Sequence, residues 1–402
     1  MKIKQVLLCL ALVLGFATHG FAATITAAST SQSDVQAAIN AANEGDTVVV
    51  PAGDSTWPGS AVTWTGGVTV LKAITLQGQG IDKTFIRRDP ATCAPENWLI
   101  NIAPSNPNVL CRVTGFYLDW MRPCPDSGGN KRGIIVNGPS TKIRIDHCFF
   151  NFGRRPMDVG PSGYPIFGVI DHCGFYNCNV WLSLAYHADS GKASWSQPIR
   201  LGGLDAFVIE DCSFTADGNA SFELNEIMLG GQGTRNVFRH NTVNFESSYP
   251  YPANLFDAHG HGGYGHYGFG EGTRLYEIYN NNITVSPQSY RYANFRGGTI
   301  IMHDNTFTAS TAKSVVIGLT AEQVLTDDQS HGMPYQIESI MNSFFWNNIN
   351  SGDGSPVIAV GLGTHTNEPR SDQDYFNRSI QPGDIWYPYT PLVYPHPLVS
   401  EH

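Results

Sequence analysis

The chain has 402 residues, a formal net charge of −10 and only 14% charged residues, with 42 glycines. That length suits one large domain or two ordinary ones, and the acidic balance excludes general nucleic-acid binding, which needs clustered Lys and Arg to neutralise phosphates. An anionic polysaccharide met by a local basic patch stays open as a partner, and past the N-terminus no apolar run approaches the roughly 20 residues of a membrane span.

Residues 1–22 read as a secretory signal peptide. Lys2 and Lys4 precede an apolar run from Val6 to Phe16, and Gly20-Phe21-Ala22 resembles a small-x-small cleavage site. A secreted or periplasmic location is therefore expected. Of the eight Cys, Cys9 leaves with this segment, so an odd number remains and at least one is unpaired in the expected monomer. Neither a CxxCH haem site nor zinc-type CxxC spacing occurs, so the Cys are not metal ligands.

Residues 23–46 read as an N-terminal cap. In "SDVQAAINAA" Ser33 is followed by Gln36, the spacing of a capping box. Val35, Ala38, Ile39 and Ala42 form one apolar stripe. A short amphipathic helix here would plug the end of whatever "GDTVVVPAG" begins.

From about Thr47 to Asn350 the chain repeats apolar-x-x-(Cys/Asn)-x-apolar. Copies are Ile145/Cys148/Phe150, Ile170/Cys173/Phe175, Ile209/Cys212/Phe214, Phe238/Asn241/Val243, Ile278/Asn281/Ile283, Met302/Asn305/Phe307 and Phe344/Asn347/Ile349, with a looser Val113/Phe116/Leu118. Repeats of this period indicate stacked architecture, and the alternation of period two within each makes the pieces strands. Asn tolerates the left-handed conformation of a tight corner, so Asn241, Asn281, Asn305 and Asn347 should stack, with Cys148, Cys173 and Cys212 in the same column as small apolar residues.

This pattern resembles the right-handed parallel β-helix of the pectate-lyase-like superfamily. The resemblance implies an all-β, single-stranded right-handed solenoid with a short N-terminal capping helix and a Pro-rich C-terminal tail. It also implies a carbohydrate-active protein, and a lyase of this fold would typically use Lys or Arg as base, often with calcium. Fold alone does not decide function.

The recurring "IDHC" is read mainly as architecture. Asp146, Asp171, Glu210 and Arg239 should point outward at one corner, followed by His147, His172, Asp211 and His240. Rungs about 4.8 Å apart would let two stacked carboxylates bind a cation or resemble a glycosidase pair, but such ladders also satisfy their own hydrogen bonds.

A second strand before each corner ends in Gly: "GIIVNG", "PIRLGG", "EIMLGG", "LFDAHG" and "ANFRGG". Strict alternation puts Asp257 and His259 outward, Asn294 and Arg296 outward, and Glu226 and Met228 outward with Ile227 and Leu229 inward. Consecutive rungs then bring His259 beside Arg296, with Asp257 and Asn294 adjacent. His takes protons near neutral pH, Arg holds carboxylates, and Asp257 orients His259 or binds a cation. His259, Arg296 and Asp257 are the expected catalytic residues. Arg274, Asn294, Glu226, Tyr264 and Tyr267 are expected to bind substrate. No Lys lies on this face.

The insertion 249–274 supplies aromatic, His and Gly residues that suit sugar rings, and long loops on rigid scaffolds usually carry function. Arg235, Arg239, Arg274, Arg291 and Arg296 fall nearby and make the region locally basic. His259, His261 and His266 are the alternative metal ligands, but no metal site is assigned to them. A second insertion holds Trp181, Tyr186, His187 and Trp195 as a possible groove wall.

Residues 351–402 are read as a C-terminal cap and a Pro-rich tail lying along the barrel. The functional expectation is a polysaccharide lyase cleaving an acidic glycan by β-elimination, with calcium as a possible cofactor. A non-catalytic surface, adhesive or glycan-binding β-helix is the alternative, and a glycoside hydrolase a second one.

Overall fold

The computed structural model describes residues 22–57, 67–88, 96–119, 130–153, 155–159, 166–178, 180–184, 192–217, 226–245, 255–260, 272–285, 291–309, 316–321, 340–362 and 368–401. The residues read as a signal peptide lie outside these, apart from Ala22, as do Tyr264, Tyr267, His261, His266, Tyr186 and His187. Among the described residues no helix is long and apolar enough to cross a membrane.

Every third strand joins the same sheet, so the chain coils through three parallel sheets. The first has 12 strands, from Thr24–Thr26 to Tyr375–Phe376. The second has 10, from Gly53–Trp57 to Ile349–Asn350, and the third 10, from Val68–Val70 to Ala359–Gly361. This is a parallel β-helix. Inward side chains stack rung on rung: Phe150, Phe175 and Phe214 lie ring over ring at 4.8 and 4.7 Å.

The corner between the first and second sheets carries the predicted column. Asn281 Nδ2 donates to Phe238 O and to Asn305 Oδ1, at 2.9 and 2.8 Å, and Asn281 Oδ1 accepts from the Asn241 backbone N at 2.9 Å. Cys148, Cys173 and Cys212 are buried free thiols in the same column, and burial pushes the first two well up from the ordinary thiol range. The last copy is displaced by one residue. Asn348, not Asn347, completes the ladder on Asn305, because Met302 pairs with Phe345. Asn347 instead takes the left-handed corner position at φ 50°. Asn281→Ala removes a side chain that satisfies several buried groups at once. It is expected to lower stability by about 2–4 kcal/mol, at about 1–3 for each buried group left unpaired. An unchanged denaturant midpoint would show that the ladder contributes nothing.

The helix Gln32–Ala41 caps the solenoid with Val35, Ala38 and Ile39 buried. Its N-cap is Ser31, which accepts from Asp34 N, rather than Ser33. Asp34 favours this earlier start because its charge sits in the first turn, and it also accepts from Ser29. Gln36 is thereby freed to bond both backbone groups of Thr69.

"PIRLGG" is not a strand. Val180–Leu184 fills that place in the third sheet, and Gly202 turns at φ 67° against the tail, where a Cβ would lie 1.9 Å from Thr390 O.

The tail is ordered, and it changes the corner column. Asp146, Asp171, Glu210 and Arg239 do face away from the barrel interior, but each is fully buried. Arg112 holds Asp146 by two bonds of 2.7 Å, and Arg144 holds Asp171 by two of 3.0 Å. Arg239 pairs with Glu210 and donates to the tail carbonyls of Leu392 and Val393. Arg144 donates to Val399 O, and His396 N donates to Glu210. His147 and His172 are stacked at 5.1 Å, each with Nδ1 on the preceding Asp. The carboxylates of Asp146 and Asp171 are thus already paired with guanidinium groups.

Candidate functional site

The third sheet builds the face of interest. Its strands begin with a bend that turns two consecutive residues inward: Ile227 and Met228, Leu255 and Phe256, Tyr292 and Ala293 are all in the core. This overturns the expectation that Met228 faces out and Leu229 in. Met228 is buried in the core, and Leu229 pairs with Asp257 on the outer side. Glu226 lies before the bend and stays on the outer side. Phe256, Ala258 and Phe295 are in the core, so Asp257, His259, Asn294 and Arg296 face outward.

Asp257 and Asn294 are register partners on adjacent rungs. Arg296 grips Asp257 with two nitrogens: Nε donates to Oδ1 at 3.0 Å, and Nη2 donates to Oδ2. Arg296 Nη2 also lies 2.9 Å from His259 Nε2. A guanidinium only donates, so Nε2 accepts and the ring proton sits on Nδ1. The Asp257 Oδ2 contact to the same nitrogen is longer, 3.4 Å, and does not compete. The corner that follows is tight: a Cβ on Gly297 would fall 2.6 Å from Gly260 Cα, so this residue must be glycine for the two backbones to approach.

Glu226 sits beside Asp257. Burial, then the Asp257 charge and a hydrogen bond to Asp257, push its carboxyl up to about 8. Desolvation and a neighbouring negative charge both disfavour the ionised form, so Glu226 keeps its proton near neutral pH. Arg296 and Arg155 moderate this. Beneath the pair, Tyr276 OH donates to Asp257 O at 3.0 Å.

Arg235, Arg239 and Arg274 do not converge here, and the Arg291 side chain lies outside the described residues. Arg235 is buried under the segment 194–198, donating to the carbonyls of Ser194, Gln197 and Pro198. Arg239 lies on the first sheet under the tail. Arg274 stands around the corner, stacked on Trp195 at 4.5 Å, and burial pulls its guanidinium down to about 10. Trp195 is anchored by Nε1 to Gly272 O at 2.8 Å.

A calcium ion fits poorly. Glu226, Asp257 and Asn294 offer the oxygen donors such an ion prefers, but both Asp257 oxygens already face the Arg296 guanidinium. Positive charge is supplied by the protein itself.

Sequence reading missed the Arg155–Val159 strand of the same sheet. A signal existed: "MDVG" repeats the apolar-Asp-apolar order of "FDAHG".

No protein-family model matches the chain, and no curated protein matches it. Among solved structures, the chain is similar to an alginate lyase from Paenibacillus sp. str. FPU-7, at 13% identity and a TM-score of 0.43, covering 92% of this chain and 97% of that one.

Proposed function

We propose that the outward face of the third sheet binds an acidic polysaccharide and cleaves it by β-elimination. The observation that carries this reading is the outward cluster of Asp257, Arg296 and His259, held together by hydrogen bonds, with Glu226 beside it. Elimination removes a proton from the carbon next to the uronate carboxylate, breaks the bond to the neighbouring glycosidic oxygen and returns a proton to that oxygen. A pair holding one proton supplies both halves. As Arg296 transfers a hydrogen bond from Asp257 to the uronate carboxylate, the freed Asp257 oxygen takes the carbon proton, neutral Glu226 gives its proton to the leaving oxygen, and the inventory is unchanged. Arg296 stabilises the negative charge that develops on the carboxylate. His259, whose Nε2 is occupied by Arg296, positions the guanidinium rather than acting as base. Export through the N-terminal segment would bring the protein to such polymers.

The test is a screen of alginate, polygalacturonate, hyaluronan and xylan, with and without calcium, following the ultraviolet absorbance of unsaturated uronates and reducing ends in parallel. Absorbance is expected to rise on a uronate polymer without added calcium. The rate is expected to fall as pH rises through about 8, where Glu226 loses its proton. Binding without any product would favour a glycan-binding protein instead.

A further inference from the structure

We infer that Arg274, stacked on Trp195 beside Arg235, forms a carboxylate-binding subsite around the corner from the Asp257–Arg296 cluster. The inference rests on the acidic-polysaccharide reading above and names the group that a neighbouring sugar unit presents.

Two guanidinium groups here lack a bonded carboxylate. Arg112, Arg144, Arg239 and Arg296 each hold an acid: Asp146, Asp171, Glu210 and Asp257 in turn. Arg235 is buried and donates instead to the Ser194 hydroxyl and to backbone carbonyls. Arg274 makes one hydrogen bond among the described residues, from Nη2 to Gln197 O at 3.5 Å, and no ion pair. Asp205 acts on Arg235 only through its charge, and Arg200 already holds it at 2.7 Å. Burial, then the charge of Arg235, pull the Arg274 guanidinium down to about 10, so it stays charged at neutral pH. Two like charges with little water between them repel, and an anion beside them relieves the repulsion.

Arg274 is placed to receive that anion. Trp195 is fixed by Nε1 on Gly272 O, and its ring centre lies 4.5 Å from the guanidinium carbon. This stacking holds the guanidinium plane. Nε is buried without a partner. The Nη edge reaches the surface, since Arg274 and Trp195 are half-buried and Gln197 is exposed. That edge offers the paired donors that take both oxygens of a carboxylate. A neutral hydroxyl would leave the charge uncompensated, so the ligand group is anionic. On a glycan that group is the uronate carboxylate. A free sulfate or phosphate shares the chemistry, and the experiment separates the sources.

The corner sets the subsite beside the chemistry. Thr273 N donates to His259 O at 2.8 Å, so Arg274 follows directly on the residue bonded to His259. Arg274 and Arg296 then read different units of one chain: a neighbouring uronate, and the uronate that loses its carbon proton. Blocks of adjacent uronates would be preferred over isolated ones.

The experiment compares Arg274→Gln and Arg274→Lys with the wild type on alginate, polygalacturonate and hyaluronan, on their carboxyl-reduced neutral forms, and on sodium sulfate. Affinity is read as KM where the polymer is cleaved and as Kd where it is only bound. Arg274→Gln is expected to weaken the acidic polymer about tenfold, the loss of one charge-assisted contact, and to leave the neutral form unchanged. Arg274→Lys keeps the charge without the fork and should fall between; it carries the same comparison if Arg274→Gln does not fold. Equal weakening on acidic and neutral forms would assign Arg274 to structural support of Trp195 and overturn the subsite. So would unchanged polymer affinity in both variants, and sulfate binding that depends on Arg274 would then mark a small-anion site. A wild type that binds acidic polymers without product, and loses that preference in Arg274→Gln, keeps the subsite and refutes the elimination. A wild type that cleaves, with both variants matching it, keeps the elimination and refutes the subsite. If the wild type binds none of the acidic polymers, both fail.

Discussion

Replacing Arg239 with Met is expected to destabilise the protein by about 3–5 kcal/mol, the usual cost of stranding one member of a buried ion pair. Glu210 is fully buried and would lose the guanidinium that neutralises it. The tail carbonyls of Leu392 and Val393 would lose their donor in the same step. The expected readout is a large fall in the denaturant midpoint, together with early proteolytic release of the C-terminal segment. Glu210→Leu in the same chain should recover much of the loss, because it removes the stranded charge. A midpoint that does not move in Arg239→Met would show that the tail is not held by this network.

The same network gives the tail a pH dependence of known sign. Burial, then the charges of Arg239 and Arg144, pull His396 down to about 4. Its Nδ1 accepts from Leu398 N, as a neutral ring requires. The unfolded chain takes up this proton near the ordinary 6.5, before the folded one does. His396 therefore contributes stability above about 6.5 that is lost as pH falls toward 4, up to about 3 kcal/mol. Glu210 and Glu277 act oppositely, since burial raises both. Their folded forms bind a proton more readily, which offsets part of the acid loss. In His396→Phe the acid-side loss should shrink. An acid transition identical to the wild type would remove His396 from this account.

Asp257→Asn is expected to lower turnover of the glycan at least about 100-fold, within the range that general acid–base groups supply. Asp257 clamps Arg296 by two bonds, and in the function proposed above it is also the proton acceptor. Removing its charge also removes a cause of the raised Glu226 value, second only to burial. The carboxyl of Glu226 should then move down toward the ordinary range, and the high-pH limb of the rate profile should shift acid. This shift is what a merely structural role would not produce. Turnover within a few-fold of wild type, with the same pH limb, would mean that the chemistry lies elsewhere on the protein.

The coil itself was legible in the sequence. Apolar side chains with period two, interrupted by Asn or Cys at a fixed offset, have one economical arrangement, in which identical positions stack and serve one another's backbone. The adjacency of Asp257, His259, Asn294 and Arg296 was legible for the same reason, because "LFDAHG" and "ANFRGG" align on their glycines. The face on which Met228 and Leu229 lie was not legible, since a bend that sends two neighbours inward breaks the alternation on which the reading relied. Nor was the fate of Asp146, Asp171, Glu210 and Arg239. Their outward direction follows from local pattern, but Glu210 and Arg239 are engaged by a tail 153 to 186 residues away. Glu226 depends on tertiary structure most of all. Its neighbour Asp257 lies one rung on, and burial is the first cause of its raised carboxyl. Direction is a property of a few consecutive residues, whereas desolvation sums over everything that packs nearby, and only the folded chain decides that sum.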